Sequence, residues 1–377
     1  MPLFGKQVTI GQIRGISIVI DPSWFVILII LSWALATSYF PLQVPDLPSL
    51  NYWAAGVLAS LGLFFSVTLH ELGHSLVAIG RGLPVKRIIL FVFGGISQLE
   101  KEPEDPRTEF FMAIVGPMVS AALAGVFFVA ERVAVAAEAG PLLVAFLGYL
   151  AFVNLFLFLF NLLPGLPLDG GRVLRAFLWK RSGDIMRATW LASEVGAGFG
   201  TALFILGALL VLVGNLAGLW YILIGFFLRN AALGSYQQTS YRNFLAEVKV
   251  EHIMTQNPIT VSQDTILEEF VDEFLLAYHH PVFPVMVGDR VIGIAEAETV
   301  RKIPRELWKV KTVQENYRPL AEVLVVSPSD YAWNVLKMML EKTTGRVLVM
   351  EGGRLVGILS RRDIMDYLNI KSSLFRK

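Results

Sequence analysis

The chain has 377 residues, 55% of them hydrophobic and 17% charged, with a mean hydropathy of +0.59. That is too apolar for an ordinary soluble domain, while the last third is too charged for a pure membrane protein, so two regions are expected. A net charge of +1 excludes a global attraction to nucleic acid, and the lack of cysteine excludes disulfides, thiolate metal sites and a cysteine nucleophile.

In chain order, six apolar runs read as membrane-crossing helices: residues 24–40, 52–79, 110–129, 141–163, 190–213 and 216–228. The first also contains Ala34-Leu35-Ala36, which has the form of a signal cleavage site. It reads as a retained span because its apolar core starts only after Asp21-Pro22 and no basic cluster directly precedes it. Lysine and arginine fall before the first run (Lys6, Arg14), between the second and third (Arg81, Lys86, Arg87, Lys101, Arg107), between the fourth and fifth (Arg172, Arg175, Lys180, Arg181, Arg187) and after the sixth. The opposite loops hold only Arg132. A multi-pass protein of the plasma membrane with both termini in the cytoplasm is therefore expected.

The second run carries "VTLHELGHSLVAIG" from Val67. Ionisable groups at membrane depth are costly, and three in five residues imply a shared purpose. His70 and His74, four apart, lie on one helix face where both imidazoles can grip one ion, and Glu71 is placed to take a proton from a metal-bound water without ligating. Taken alone, an intramembrane histidine also serves as a hydrogen bonder between helices. Two histidines leave zinc under-coordinated, so a third ligand is required on the same side. The fourth run ends in "NLLPGLPLDGGR", where Pro164, Gly165 and Pro167 break the helix and Asp169 follows at comparable depth. Asp169 is the expected third ligand; its alternative is an N-cap for the short basic segment that begins at Gly170. Asn154 and Asn161 share a face of the fourth run. Asn154 reads as an interhelical hydrogen bonder, and Asn161 either as that or as a donor to a developing oxyanion.

Between the second and third runs, residues 87–99 read as a β-hairpin-like re-entrant loop interrupted by Gly94-Gly95, with an edge on which an extended substrate can pair or which only fills a gap. Asp105-Pro106 is the expected start of the next helix.

After Arg229 the character changes. Residues 1–235 form the membrane domain, 236–249 read as a linker, and 250–377 hold a tandem α/β repeat, with copies at about 250–310 and 311–372. "VMVGDRVIGI" from Val285 and "VMEGGRLVGI" from Val349 agree at six of ten positions, each as two strands joined by a tight turn.

On these residues the chain resembles the site-2 protease family of intramembrane zinc metalloproteases (peptidase M50 type), in its branch with C-terminal tandem CBS domains. The motifs that carry the resemblance are His70-Glu71-x-x-His74, Gly94-Gly95, Gly116-Pro117 and the Asn161, Pro164, Asp169, Gly170 series. The resemblance implies a polytopic α-helical membrane domain followed by a soluble CBS pair. It also implies one Zn2+ held by His70, His74 and Asp169, with Glu71 catalytic and Asn161 orienting substrate or oxyanion. The substrates would be membrane-anchored proteins cut in or near their transmembrane segments. CBS pairs of this kind bind adenine nucleotides (ATP, ADP or AMP) and associate as homodimers. In the second copy Ser360 and Asp363 stand where nucleotide contacts are expected, or Asp363 caps the helix beginning near Ile364. In the first copy Thr299 replaces the aspartate, and Glu296 and Glu298 would repel phosphate, so at most one nucleotide per chain is expected. The alternative is a CBS-regulated transporter or channel with a metal site, which needs no general base.

Overall fold

The computed structural model describes residues 7–92 and 94–375, so Lys6, counted among the orienting charges, and Phe93, in the expected loop, lie outside the described residues. It divides into two units, residues 1–237 and 238–377.

The first unit opens with a hairpin that the sequence pattern does not announce. Strands β1 (Val8–Ile13) and β2 (Ile16–Ile20) turn at Arg14-Gly15, both at positive φ. Asp21 ends β2 by accepting from the Ser23 amide (3.0 Å) and hydroxyl (2.7 Å), which launches α1 (Ser23–Ala34). A π-helical turn at Leu35–Tyr39 carries α1 into α2 (Phe40–Gln43). Then follow α3 (Ser49–Gly80), β3 (Val85–Phe91), β4 (Gly94–Leu99), α4 (Pro106–Ala136) and α5 (Pro141–Asn161). The unit continues with α6 (Asp169–Ser182), α7 (Ile185–Leu212) and the first part of α8 (Gly218–Leu245).

Among the described residues five helical stretches are long and apolar enough to cross a membrane: Ser23–Gln43, Ser49–Gly80, Pro106–Ala136, Pro141–Asn161 and Ile185–Leu212. The expected sixth run, residues 216–228, falls in α8, which turns polar after Leu228.

The expected hairpin at residues 87–99 forms, but as half of a four-stranded sheet of order β1-β2-β3-β4. Its β3 pairs in parallel with β2 and antiparallel with β4. Ile16, Ile18, Ile88 and Leu90 of the sheet pack with Trp24, Phe64, Ala78 and Met112, so the sheet is fastened to α1, α3 and α4 by apolar burial. β4 is left as an edge strand.

In the second unit residues 236–249, expected as a linker, are helical as far as Leu245. Tyr241, Phe244, Leu245 and Val248 recur at helical spacing and pack with Val250, Leu336, Leu359 and Ile364, a stripe that the surrounding glutamines and serines hide in the sequence. The repeat comprises β5 (Thr255–Gln256), β6 (Val261–Ser262), α9 (Leu267–Glu269, prolonged by π-helical turns to Leu276), β7 (Val282–Val287), β8 (Arg290–Glu296) and α10 (Ala297–Val300). It continues with β9 (Arg318–Pro319), β10 (Val325–Val326), α11 (Ala332–Glu341), β11 (Arg346–Glu351), β12 (Arg354–Ser360) and α12 (Arg361–Phe375). Gly288, and Gly352 with Gly353, take the positive φ that the two hairpin turns require. The sheets are ordered β6-β7-β8-β9 and β10-β11-β12-β5. Each copy thus lends the other a short strand: β5, at the start of the first copy, completes the second sheet, and β9, at the start of the second copy, completes the first. Two-residue strands leave no periodic signal, so this exchange is invisible to a repeat read from sequence.

Candidate metal centre

His70 and His74 project from the same face of α3 and are 6% and 5% exposed. Asp169 arrives from another element. The Pro164–Leu168 break ends in α6, whose first residue is Asp169 itself, with Leu168 in the capping position and no side-chain cap. The N-cap alternative for Asp169 is therefore not what forms. Its Oδ2 lies 3.0 Å from His70 Nε2 and 3.1 Å from His74 Nε2, and the two Nε2 atoms are 3.1 Å apart.

The outer ring atoms fix how these groups present themselves. His74 Nδ1 is 2.6 Å from the Met112 carbonyl oxygen, which only accepts, so Nδ1 carries the proton and Nε2 of the neutral ring points a lone pair inward. His70 Nδ1 is held by the Ser120 hydroxyl at 2.9 Å. The inward lone pair of His74 and the Asp169 carboxylate face each other as two acceptors, an arrangement that a divalent cation satisfies. The room is made by glycine. A Cβ on Gly116 of α4 would fall 2.1 Å from His74 Nε2 and 2.6 Å from His70 Nε2. Two imidazoles, one carboxylate and an open side against a side-chain-free helix turn fit a zinc ion.

Glu71 stands apart from this trio in its contacts. Its Oε2 accepts from Ser97 Oγ at 2.7 Å, and its carboxyl group lies close enough to both histidines that His70, Glu71 and His74 form a potential metal cluster. Asp169, not Glu71, bridges the two Nε2 atoms, and the Glu71 carboxylate stands outside that set. Glu71, His74, Asp169, Gly95, Ser97, Met112, Pro167 and Arg172 are among the residues lining a cavity of about 190 Å3. A larger cavity of about 1080 Å3, lined by Tyr39, Phe128 and Phe152 among others, contains none of the site residues.

The loop glycines meet the site differently. Gly95 backs directly onto Glu71, where a Cβ would lie 2.6 Å from Glu71 Cγ, whereas Gly94 (φ 128) has open space at its Cβ position. Asn154 is fully buried and donates to Ser66 Oγ (3.1 Å) and to the Leu150 carbonyl oxygen (2.8 Å), the interhelical role expected of it. Asn161 is the last residue of α5 and does not line the cavity, while Arg172, expected only as an orienting charge, does. Sequence reasoning also missed Ser97, Ser120 and the Met112 carbonyl. Isolated serines in apolar helices and strands carry no pattern, and a backbone acceptor carries no residue signal at all.

The break before Asp169 is held by close backbone contact. A Cβ on Gly171 would lie 2.1 Å from the Gly165 carbonyl carbon, and one on Gly196 of α7 would lie 1.8 Å from the Leu166 carbonyl oxygen. Arg175 of α6 then pairs through Nε and Nη2 with Glu109 of α4, whose side chain is 1% exposed. Together these contacts set the depth of Asp169.

In the second unit, Ser360 and Asp363 form a reciprocal cap at the start of α12. Asp363 Oδ2 accepts from Ser360 N and Oγ, both at 2.8 Å, and Asp363 N donates to Ser360 Oγ at 3.2 Å. The helix begins at Arg361, three residues before the expected Ile364. Burial pulls the Arg346 guanidinium down from its ordinary value, opposed by Asp363 and Glu296, so a cation stands beside the cap. At the corresponding place in the first copy a cavity of about 360 Å3 is lined by Glu296, Glu298 and Glu322 with Thr299, Lys302 and Arg318. Glu296 there pairs with Arg318 at 3.5 Å.

Known proteins share both parts. The model of peptidase family M50 matches residues 58–136 and 129–206, and that of the CBS domain matches 250–305 and 316–370. A Synechocystis sp. protein named among the zinc metalloproteases is 32% identical over 98% of this chain and 97% of its own length. Zinc metalloprotease MJ0392 of Methanocaldococcus jannaschii is 32% identical over 85% of this chain and 86% of its own. The solved structure of a site-2 protease from Methanocaldococcus jannaschii is 28% identical and covers 61% of this chain and 95% of its own, with a TM-score of 0.43.

Proposed function

We propose, from the premise that this chain belongs to peptidase family M50 and is an intramembrane zinc metalloprotease with a CBS pair, that His70, His74 and Asp169 hold its zinc and Glu71 is its general base. The observation that carries the reading is the convergence of two Nε2 atoms and one carboxylate oxygen within 3.1 Å, with Glu71 alongside but outside that set. Membership in a protease family also removes the transporter reading, which has no use for a general base.

The bound zinc supplies a Lewis acid and a water of lowered pKa. Glu71 takes the proton of the attacking water and returns it to the leaving amine, so that one carboxylate serves both half-reactions. A peptide bond within a helix is shielded by its own turn, so the substrate must be extended to be cut. The free edge of β4, with Gly94 and Gly95 leaving its backbone bare, offers main-chain pairing for that extended stretch. For the developing oxyanion two donors are available, the Asn161 amide and the Arg172 guanidinium. The cavity favours Arg172, which lines it one turn beyond Asp169.

The α6 segment and the CBS pair lie in the cytoplasm of a plasma-membrane protein, a reading that the basic residues of alternate loops support. Membrane-anchored proteins are the substrates. An adenine nucleotide at Ser360, Asp363 and Arg346 regulates the enzyme, and the CBS pairs associate two chains. The decisive experiment measures zinc content and cleavage of a transmembrane substrate side by side. Glu71→Gln is expected to keep zinc and lose cleavage, and His70→Ala or Asp169→Ala to lose both. Normal turnover by Glu71→Gln would end the assignment. For the oxyanion, Arg172→Ala should lower kcat more than Asn161→Ala; the reverse order returns the role to Asn161.

A further inference from the structure

We propose that Ser97, with Ser75 behind it, is the positioning residue that fixes the Glu71 carboxylate for proton abstraction, so that β4 sets the general base as well as the substrate. The inference rests on Glu71 being the base.

Glu71 and Ser75 are four residues apart on α3 and therefore share a face. Ser97 Oγ reaches both: it lies 2.7 Å from Glu71 Oε2 and 3.0 Å from Ser75 Oγ, with the Glu71 carbonyl oxygen at 3.2 Å. A carboxylate only accepts, so the Ser97 hydroxyl donates to Oε2 and in turn accepts from Ser75, whose residue is fully buried. The chain of donors runs one way and ends on Oε2. Among the described residues Oε1 has no hydrogen-bond partner, and Glu71 lines the cavity, so the second oxygen is the one presented to water.

A glutamate has three rotatable side-chain bonds, and unlike the two histidines Glu71 gains nothing from ring packing. Gly95 and Ser97 supply the restraint. They are two apart on β4 and so face the same way, toward α3. The Gly95 backbone bars the Glu71 stem from one side, since a Cβ there would meet Cγ at 2.6 Å and Cδ at 3.3 Å, while Ser97 holds the head. The same strand offers its other edge to substrate, so any shift of β4 on substrate pairing is carried to the base through a hydrogen bond of 2.7 Å.

The test uses the full-length protein reconstituted in vesicles with a transmembrane peptide substrate, reading kcat, KM and zinc content. Ser97→Ala is expected to lower kcat by about ten- to a hundred-fold while KM and zinc stay within about twofold of wild type, the range typical when an outer partner of a catalytic group is removed. Ser97→Thr, which keeps the hydroxyl, should return most of the rate, and Ser75→Ala should lower kcat by less. Unchanged kcat in Ser97→Ala beside an inactive Glu71→Gln overturns the inference and leaves the base assignment standing. Loss of zinc, or a raised KM at unchanged kcat, also overturns it, because the serine would then only shape the hairpin. Should Ser97→Ala not fold, Ser75→Ala decides by the same split of kcat from KM. Normal turnover by Glu71→Gln would remove the base assignment and this inference together.

Discussion

A neutral imidazole has one lone pair to give, and which nitrogen gives it depends on the partner of the other. At His74 that partner is the Met112 carbonyl and at His70 it is Ser120, both on α4. The helix that orients the rings also makes space for what they hold, because Gly116 on the same helix presents no side chain to either Nε2. Gly116→Ala should therefore abolish zinc retention with the three ligands intact, and metal analysis of the purified variant checks it; full zinc occupancy would mean that the rings can retreat. The closeness of His70, Glu71 and His74, from which the metal and base roles are proposed, is readable from spacing, because three ionisable groups within five residues of an apolar run are too costly to stand there without a common partner. Asp169 is readable only through the broken helix before it. Arg172 is not, since an arginine beside a membrane run reads first as topology. Ser360 and Asp363 stand out in the sequence as expected nucleotide contacts; in the structure Asp363 does not cap a helix beginning near Ile364 but sits inside α12, where the S-x-x-D spacing is satisfied by a reciprocal bond with Ser360.

Among the elements, α6 illustrates how a short basic helix becomes part of a membrane site. Its first residue is the proposed third ligand, and its seventh, Arg175, pairs with the buried Glu109 of α4. Removing one member of a buried ion pair strands the other charge, at a cost of about 3–5 kcal/mol. Glu109→Ala should thus lower the unfolding midpoint markedly and loosen zinc, whereas the double change Glu109→Leu with Arg175→Met should recover most of the stability; a thermal melt with metal analysis separates the cases. The other end of α4 offers a milder test. Asp105 caps it as expected, accepting from the Arg107 and Thr108 amides at 3.0 and 2.9 Å. Hydrogen bonds from Thr108 and Arg107 hold its carboxyl below the usual range. A folded-state pKa that is depressed stabilises above the unfolded value and is lost as pH falls through the folded one. Asp105→Ala should cost about 1 kcal/mol at neutral pH and nothing in acid, read from unfolding at both. The β1–β2 hairpin escapes a reading of the sequence for a physical reason: a short β-branched run just ahead of a membrane helix is drowned by the apolar signal that follows it.

For the whole molecule, two expectations concern how the parts are wired to their surroundings. Since the chain has no cysteine, single cysteines report topology without background. A cysteine at Lys180, exposed near the end of α6, should resist an impermeant reagent applied outside intact cells, and labelling there would invert the orientation. The CBS pair is expected to bind one adenine nucleotide per chain. The second copy sets Arg346 beside Ser360 and Asp363, while the first sets three glutamates around its cavity, with Lys302 and Arg318 turned to two of them and Glu322 in excess. Equilibrium dialysis of ATP against the full-length protein should give about one site per chain, weakened by Arg346→Ala, by the like-charge argument that disfavours phosphate in the first copy. Two equal sites would contradict the asymmetry.

The glycines around the Pro164–Leu168 break have a consequence for inheritance. Gly165, Gly171 and Gly196 sit where neighbouring backbones already occupy the space of a Cβ, so even alanine forces the break apart and moves Asp169 away from the histidines. None of the three lines the cavity at the site. A saturation library selected for proteolysis should nonetheless tolerate substitution at them no better than at His70 or His74, and their damaged variants should be recognisable by a lost metal rather than a lost base.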